Sequence, residues 1–156
     1  MAGLRDITDQ ATHDLLANNN FTAGGLVINA AGATSFKSAL PYQYMVDGIF
    51  KAKAALAAQA FSPHPQQNIG ITQYYAIGLD GSGNVTTYQG GEETFILNAI
   101  PTTVPTLPSI PSGICPIGVI KIVSTSAPFL ANTTPLDTVG LAVTYYDVSL
   151  MPTVPM

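Results

Sequence analysis

Asp80, Ser82 and Asn84 stand at the first, third and fifth positions of a possible calcium loop, where carboxylate and amide oxygens would ligate a hard cation. The sixth position is Val85, where such a loop needs glycine for its sharp turn, and the twelfth is Gly91, where it needs a bidentate glutamate. The stretch therefore reads as a hairpin turn.

The other residues able to do chemistry are scattered. His13 falls on an expected N-terminal helix and His64 between Pro63 and Pro65, neither with the second histidine or paired acid of a metal or nucleophile site. Cys115 lies between Ile114 and Pro116, surroundings that raise a thiol pKa on burial, so it reads as a small core residue. Glu92-Glu93 is the only carboxylate pair, and adjacent residues of an extended chain point in different directions, so the pair reads as solvated loop. Gly81-Ser82-Gly83 and Gly90-Gly91 lack both the lysine of a phosphate-cradling loop and dinucleotide spacing, so turn geometry explains them. The triplets starting at Asn20, Asn84 and Asn132 match glycosylation acceptors, a pattern short enough to arise by chance.

Two His, two Glu and seven Asp give acid–base catalysis little to work with, so no enzyme and no cofactor is expected. Charged residues are only 9% of the chain and hydrophobic ones 47%, which disfavours disorder and a charged coiled coil. Arg5, Lys37, Lys51, Lys53 and Lys121 form no cluster and the net charge is −4, so nucleic-acid binding is not expected. The apolar run from Gly113 to Val123 is broken by Lys121 and is too short to span a membrane. Met1 to Asp6 runs into acidic residues with no apolar signal segment, and Cys115 alone permits no internal disulfide. Synthesis in a reducing cytoplasm is the expectation.

The aromatics are more telling. Tyr42 and Tyr44 share one face of an expected strand, whereas the adjacent pairs Tyr74-Tyr75 and Tyr145-Tyr146 place one ring on each side. Tyrosine combines large apolar area with a hydroxyl that needs a partner, a pairing enriched at protein interfaces. Tyr42, Tyr44 and Tyr146 are therefore candidate contact residues, against the alternative that the rings only fill a core.

The elements that must position these residues follow from periodicity. Ile7, Ala11 and Leu15 recur at helical spacing with Asp6 and Asp9 near the start, predicting a helix over 5–18 that Asn18-Asn19-Asn20 stops. From Leu26 onward the pattern is all-β, with strands predicted near 26–30, 34–38, 42–46, 49–54, 71–79, 84–89, 94–98, 117–124 and 139–148. Asp47-Gly48 and Asp80-Gly81-Ser82-Gly83 are the strongest hairpin signals. Ala52 to Ala60 is in conflict: alanine favours helix, with Phe50, Ala54, Ala57 and Phe61 on one face, but the reading preferred is a strand followed by a loop or one helical turn.

Pro101, Pro105, Pro108, Pro111 and Pro116 remove backbone donors, so 101–116 is expected to be an extended arm or crossover and not a central strand. The tail Met151-Pro152-Thr153-Val154-Pro155-Met156 has the same character. The expected organisation is a helix or arm over 1–25, a β-rich domain over 26–150 and a tail over 151–156. The fold class is mainly β, an antiparallel sandwich or barrel-like domain with a short N-terminal helix and proline-rich arms. Pro101, Pro105, Pro108, Pro111, Met151, Pro152 and Val154 join the contact candidates, since unpaired backbone there can lie across a neighbour.

The segment from Tyr74 through Asp80-Gly81-Ser82-Gly83-Asn84-Val85 to Gln89-Gly90, then Leu107-Pro108 to Pro111 and Gly113, has a recognisable pattern. It continues through Pro116 to Ile122, Phe129, Thr133 to Asp137 and the closing strand Val143 to Val148. Together, over roughly 42–150, these resemble the decoration or cement proteins that coat the heads of tailed bacteriophages. The resemblance implies a β-rich virion protein on the capsid exterior that joins copies of itself, weakly favouring a trimer over a dimer, and bridges major capsid protein subunits. It brings no catalytic residues. Other readings are another phage structural subunit (head fibre base, tail tube or baseplate), a hydrolase using a scattered Asp, or a secreted carbohydrate-binding β-sandwich.

Overall fold

The computed structural model describes residues 17–94 and 105–149. The helix predicted over 5–18 lies outside them except for its last two residues. The strands are β1 (Asn19–Asn20), β2 (Leu26–Ile28), β3 (Phe36–Ser38), β4 (Tyr42–Val46), β5 (Ile49–Lys53), β6 (Ile71–Asp80), β7 (Val85–Gln89), β8 (Glu93–Thr94), β9 (Ile114–Ser124) and β10 (Leu141–Asp147). They form three antiparallel sheets: β1-β4-β5, β2-β3, and a main sheet in the order β10-β9-β6-β7 with β8 also paired to β6. The protein is mainly β.

Turn chemistry sets the hairpins. Asp47 and Gly48 both have positive φ (49° and 74°), the conformation that lets a two-residue loop follow the twist of β4 and β5. The β6–β7 turn is closed from within: Asp80 Oδ1 accepts from the backbone N–H groups of Ser82 and Asn84, and Asp80 Oδ2 accepts from the Asn84 amide, each at 2.8 Å.

All three sheets contribute to one core. Leu26 and Phe36 of the small sheet, Tyr42, Tyr44 and Val46 of β4, and Tyr75, Ile77, Leu79, Cys115, Ile117, Ile120 and Ile122 of the main sheet bury their side chains together. At its centre Phe61 meets Phe36, Tyr75 and Phe129 edge to face at 5.3, 5.7 and 5.6 Å, the arrangement the ring quadrupoles favour.

The expectation drawn from the prolines is corrected. The prolines were expected to keep 101–116 out of any central strand, yet β9 begins at Ile114 and runs through Pro116 between β6 and β10. Pro116 is tolerated because the β6–β9 register shifts there: Ile77 faces Gly118 and Gly78 faces Pro116, so Ile117 has no opposite number. β10 has also ended by then, since its last pair is Asp147 with Gly118. Upstream, 105–113 has no regular structure, but it is not a free arm: Gly91 N–H donates to the Thr106 hydroxyl at 3.2 Å.

The alanine-rich 54–60 forms no helical turn. Leu56 and Phe61 are buried while Phe50 is 57% exposed, so the candidate helical face is not one face. Its backbone instead lines β3, with Ser38 N–H donating to Leu56 O and Phe36 and Gln59 exchanging two hydrogen bonds. Tertiary burial of two anchors overrides a propensity worth tenths of a kcal/mol per residue.

Candidate interaction surface

Strand periodicity sorts the main sheet into two faces. Tyr75, Ile120 and Tyr145 are aligned across β6, β9 and β10 and point into the core. Their neighbours form the outer face in three rows: Thr72, Val123 and Ala142; Tyr74, Lys121 and Thr144; Ala76, Val119 and Tyr146. Thr72 and Ala76 are buried, so the accessible part of this face lies chiefly on β9 and β10. Tyr88 of β7 joins the last row opposite Ala76. Lys121 is the one charged residue among the nine of β6, β9 and β10, although Glu93 of β8 pairs with Thr72, and the lysine ammonium lies 6.0 Å from the centre of the Tyr74 ring, within cation–π range. Tyr146, at the open end, is 47% exposed.

The expectation that each tyrosine pair splits across its strand therefore holds: Tyr75 is buried and Tyr74 is half-buried on the other side, and Tyr145 packs on the core while Tyr146 faces out. Tyr42 and Tyr44, expected as contact candidates, are corrected. They are 0% and 2% exposed inside the protomer, because their shared face of β4 is the one that meets the core. Pro105 and Pro108 are half-buried and Pro111 is exposed, within the segment packed near Gly90-Gly91. Pro101, Met151, Pro152 and Val154 lie outside the described residues. The residues missed were Tyr74, Tyr88 and Thr144. The alternation of β10, with no charge from Leu141 through Tyr146, was the signal that could have found Thr144.

Burial and hydrogen bonding shift several titratable groups. Burial pushes the Tyr75 and Tyr145 phenols and the Cys115 thiol up to about 12, far from any acid–base role near neutral pH. His64 is moved down by burial, partly opposed by the Thr87 backbone, and the Thr87 hydroxyl lies 2.9 Å from its Nε2. Asp80 is held below the usual carboxylate range, chiefly by the Asn84 backbone and side-chain N–H groups it accepts from. Among the described residues no three His, Cys, Asp or Glu side chains gather as a metal site, and no helix is long and apolar enough to cross a membrane.

What the arrangement offers is contact area. No family model, curated protein or solved structure matches the chain. Its surface must therefore be judged on its own chemistry. A weakly charged sheet face with tyrosines at its centre and rim has the composition of a protein-contacting surface, in which charged residues are depleted at the core and aromatics enriched.

Proposed function

We propose that this chain is a non-enzymatic structural protein of a tailed-bacteriophage virion, built as a β-sandwich-like domain. It sits on the capsid exterior, associates with copies of itself and bridges major capsid protein subunits. The observation that carries the reading is the outer face of β6, β9 and β10, where Tyr74, Val119, Val123 and Tyr146 surround a single lysine. The resemblance of 42–150 to head decoration proteins supplies the class of partner.

The mechanism is additive contact. An interface of about 1,600 Å² at about 25 cal/mol per Å² represents roughly 40 kcal/mol if wholly apolar, most of it offset by association and desolvation. Joining copies makes later contacts intramolecular and raises avidity by about 10²–10⁴ where the geometry permits. Neither cofactor nor nucleic acid nor membrane enters the scheme.

The test is sedimentation of the purified chain with DNA-free heads built from the major capsid protein of the phage that encodes it. Saturable binding and a higher disruption temperature of the heads are expected. Failure to co-sediment at tens of micromolar overturns the reading. A second reading, a ring- or tube-forming tail or baseplate subunit, is favoured by the open edge of β10, and rings or tubes of purified protein in electron micrographs would select it. Binding of the Tyr74, Tyr88 and Tyr146 face to a glycan array would instead select a carbohydrate-binding module.

A further inference from the structure

The two edges of the main sheet are treated differently. At β7, Thr87 N–H donates to the Ser62 hydroxyl at 3.1 Å, Ser62 N–H donates to the Thr87 hydroxyl at 2.8 Å, and the Gln89 amide reaches Pro65 O at 3.1 Å. Residues 62–65 thus cap that edge. At β10, Val148 N–H donates to Ile117 O and Gly140 O accepts from Thr125 N–H, which turns the backbone groups of the even-numbered residues toward β9. Those of Val143, Tyr145 and Asp147 point the other way, where no strand pairs with β10 among the described residues. The outward Leu141 N–H is taken by Thr138 O at 3.0 Å.

We propose that this outer edge of β10 pairs antiparallel with β10 of a second copy of the chain, about a two-fold axis at Thr144. The proposal rests on the self-associating reading above and says where and how the copies meet. In this register Val143 of each copy faces Tyr145 of the other, a β-branched side chain against a ring on the core side. Small Ala142 faces Tyr146 on the outer side, and Thr144 faces its own counterpart. All three pairs are of stabilising or sterically compatible type.

Charge fits a second copy. From Leu141 through Tyr146 there is none, and no lysine, proline or bulge defends this edge. The two Asp147 carboxylates end up opposite Leu141 at the far ends of the ladder, about 20 Å apart and beyond the Debye length at physiological salt. Area fits as well. A bare seven-residue ladder covers only part of the about 800 Å² per partner of a standard interface. Val139, Tyr146 and Val148, which are 92%, 47% and 39% exposed, lie along the same edge and add to it. The result is one sheet running through both copies, with their outer faces continuous, so capsid contacts and self-contacts do not compete. An isologous pair makes a dimer, in place of the trimer favoured alongside the resemblance.

The experiment is native mass measurement of the full chain and of Thr144→Lys and Thr144→Glu, alone and mixed. Thr144 is exposed, so both variants keep the fold, which circular dichroism checks. Wild type is expected as a dimer at micromolar concentration. Each variant alone is expected as a monomer, with like charges facing at the axis and the dimer dissociation constant raised at least tenfold, while an equimolar mixture returns to dimer. A monomeric wild type, or variants that each keep the wild-type mass, overturns the proposal. Head co-sedimentation of the same samples separates the two ideas: binding with unchanged mass sinks only this pairing, and charge-switchable dimers that ignore the heads sink only the capsid reading.

Discussion

The Tyr75 hydroxyl donates to Gln67 Oε1 across 3.1 Å inside the core, and the Gln67 amide donates onward to the carbonyls of Ile71 and Ile122 at 2.8 and 2.9 Å. Gln67 is fully buried, and its backbone exchanges two hydrogen bonds with Phe129. One side chain thus ties the ring cluster to β6 and β9.

Gln67→Leu is expected to cost about 2 kcal/mol, because an apolar replacement removes the side-chain donor to the Ile71 and Ile122 carbonyls in the core, while the Tyr75 phenol keeps Gln73 and Gln89 as partners. Urea denaturation measures it. A loss under about 1 kcal/mol would mean that the polar network contributes little.

Tyr42 and Tyr75 should respond oppositely to loss of the hydroxyl. The Tyr42 hydroxyl is buried without a hydrogen bond. Burial pushes its pKa up to about 12 although Ser38 pulls the other way, for the Ser38 hydroxyl is committed to Leu40 O and the Leu56 N–H. Tyr42→Phe is expected to be neutral or stabilising by about 1 kcal/mol, and Tyr75→Phe destabilising by about 1–2 kcal/mol. Thermal unfolding of both variants checks the contrast.

Gly118→Ala should loosen the junction between β2 and the main sheet. A Cβ there would collide with Leu26 Cδ1 and come within 2.9 Å of the Tyr146 carbonyl oxygen, which is backbone and cannot rotate away. A loss of about 1–3 kcal/mol is expected, read by denaturation.

His64 gives stability a pH slope. Its folded pKa lies below the ordinary value of 6.5, so the unfolded chain binds more protons as pH falls through 6.5 toward the folded value. Stability should drop with acidification in that window and be flat above it as far as this residue is concerned. His64→Gln should remove that part of the slope, as melting temperatures at successive pH values would show.

Asp80 shifts in the opposite sense. Its carboxylate is stabilised by N–H donors of its own turn, so nuclear magnetic resonance titration should place it below the ordinary value of 3.8. The turn's contribution is present above that value and fades as pH falls through the lowered one. Asp80→Ala should raise amide exchange at Ser82 and Asn84 with no effect elsewhere.

Much of the architecture was legible because local rules were strong. Asp47-Gly48 has few alternatives to a two-residue hairpin, and the predicted strands at 42–46, 71–79 and 84–89 have close counterparts in β4, β6 and β7. Pro116 was misleading because a proline's cost depends on whether its missing donor was needed, and the bulge at Ile117, where β9 pairs with the distant β6, makes it unneeded. For the alanine segment the preferred reading, a strand followed by a loop, matches β5 and the residues after it, and the helical alternative fails because Leu56 and Phe61 find burial only against elements that precede or follow them by many residues.

By itself the sequence determined the class of the protein, mainly β with few charges and no concentrated chemistry, since composition, period-two alternation and turn residues act within a few positions of one another. Only the tertiary structure decided which tyrosines are buried and which stay exposed. Alternation says that Tyr42 and Tyr44 share a side and that Tyr145 and Tyr146 do not, but which side meets the core depends on strand order and on which edge is capped. Those are pairings between residues far apart in the chain, and no local spacing encodes them.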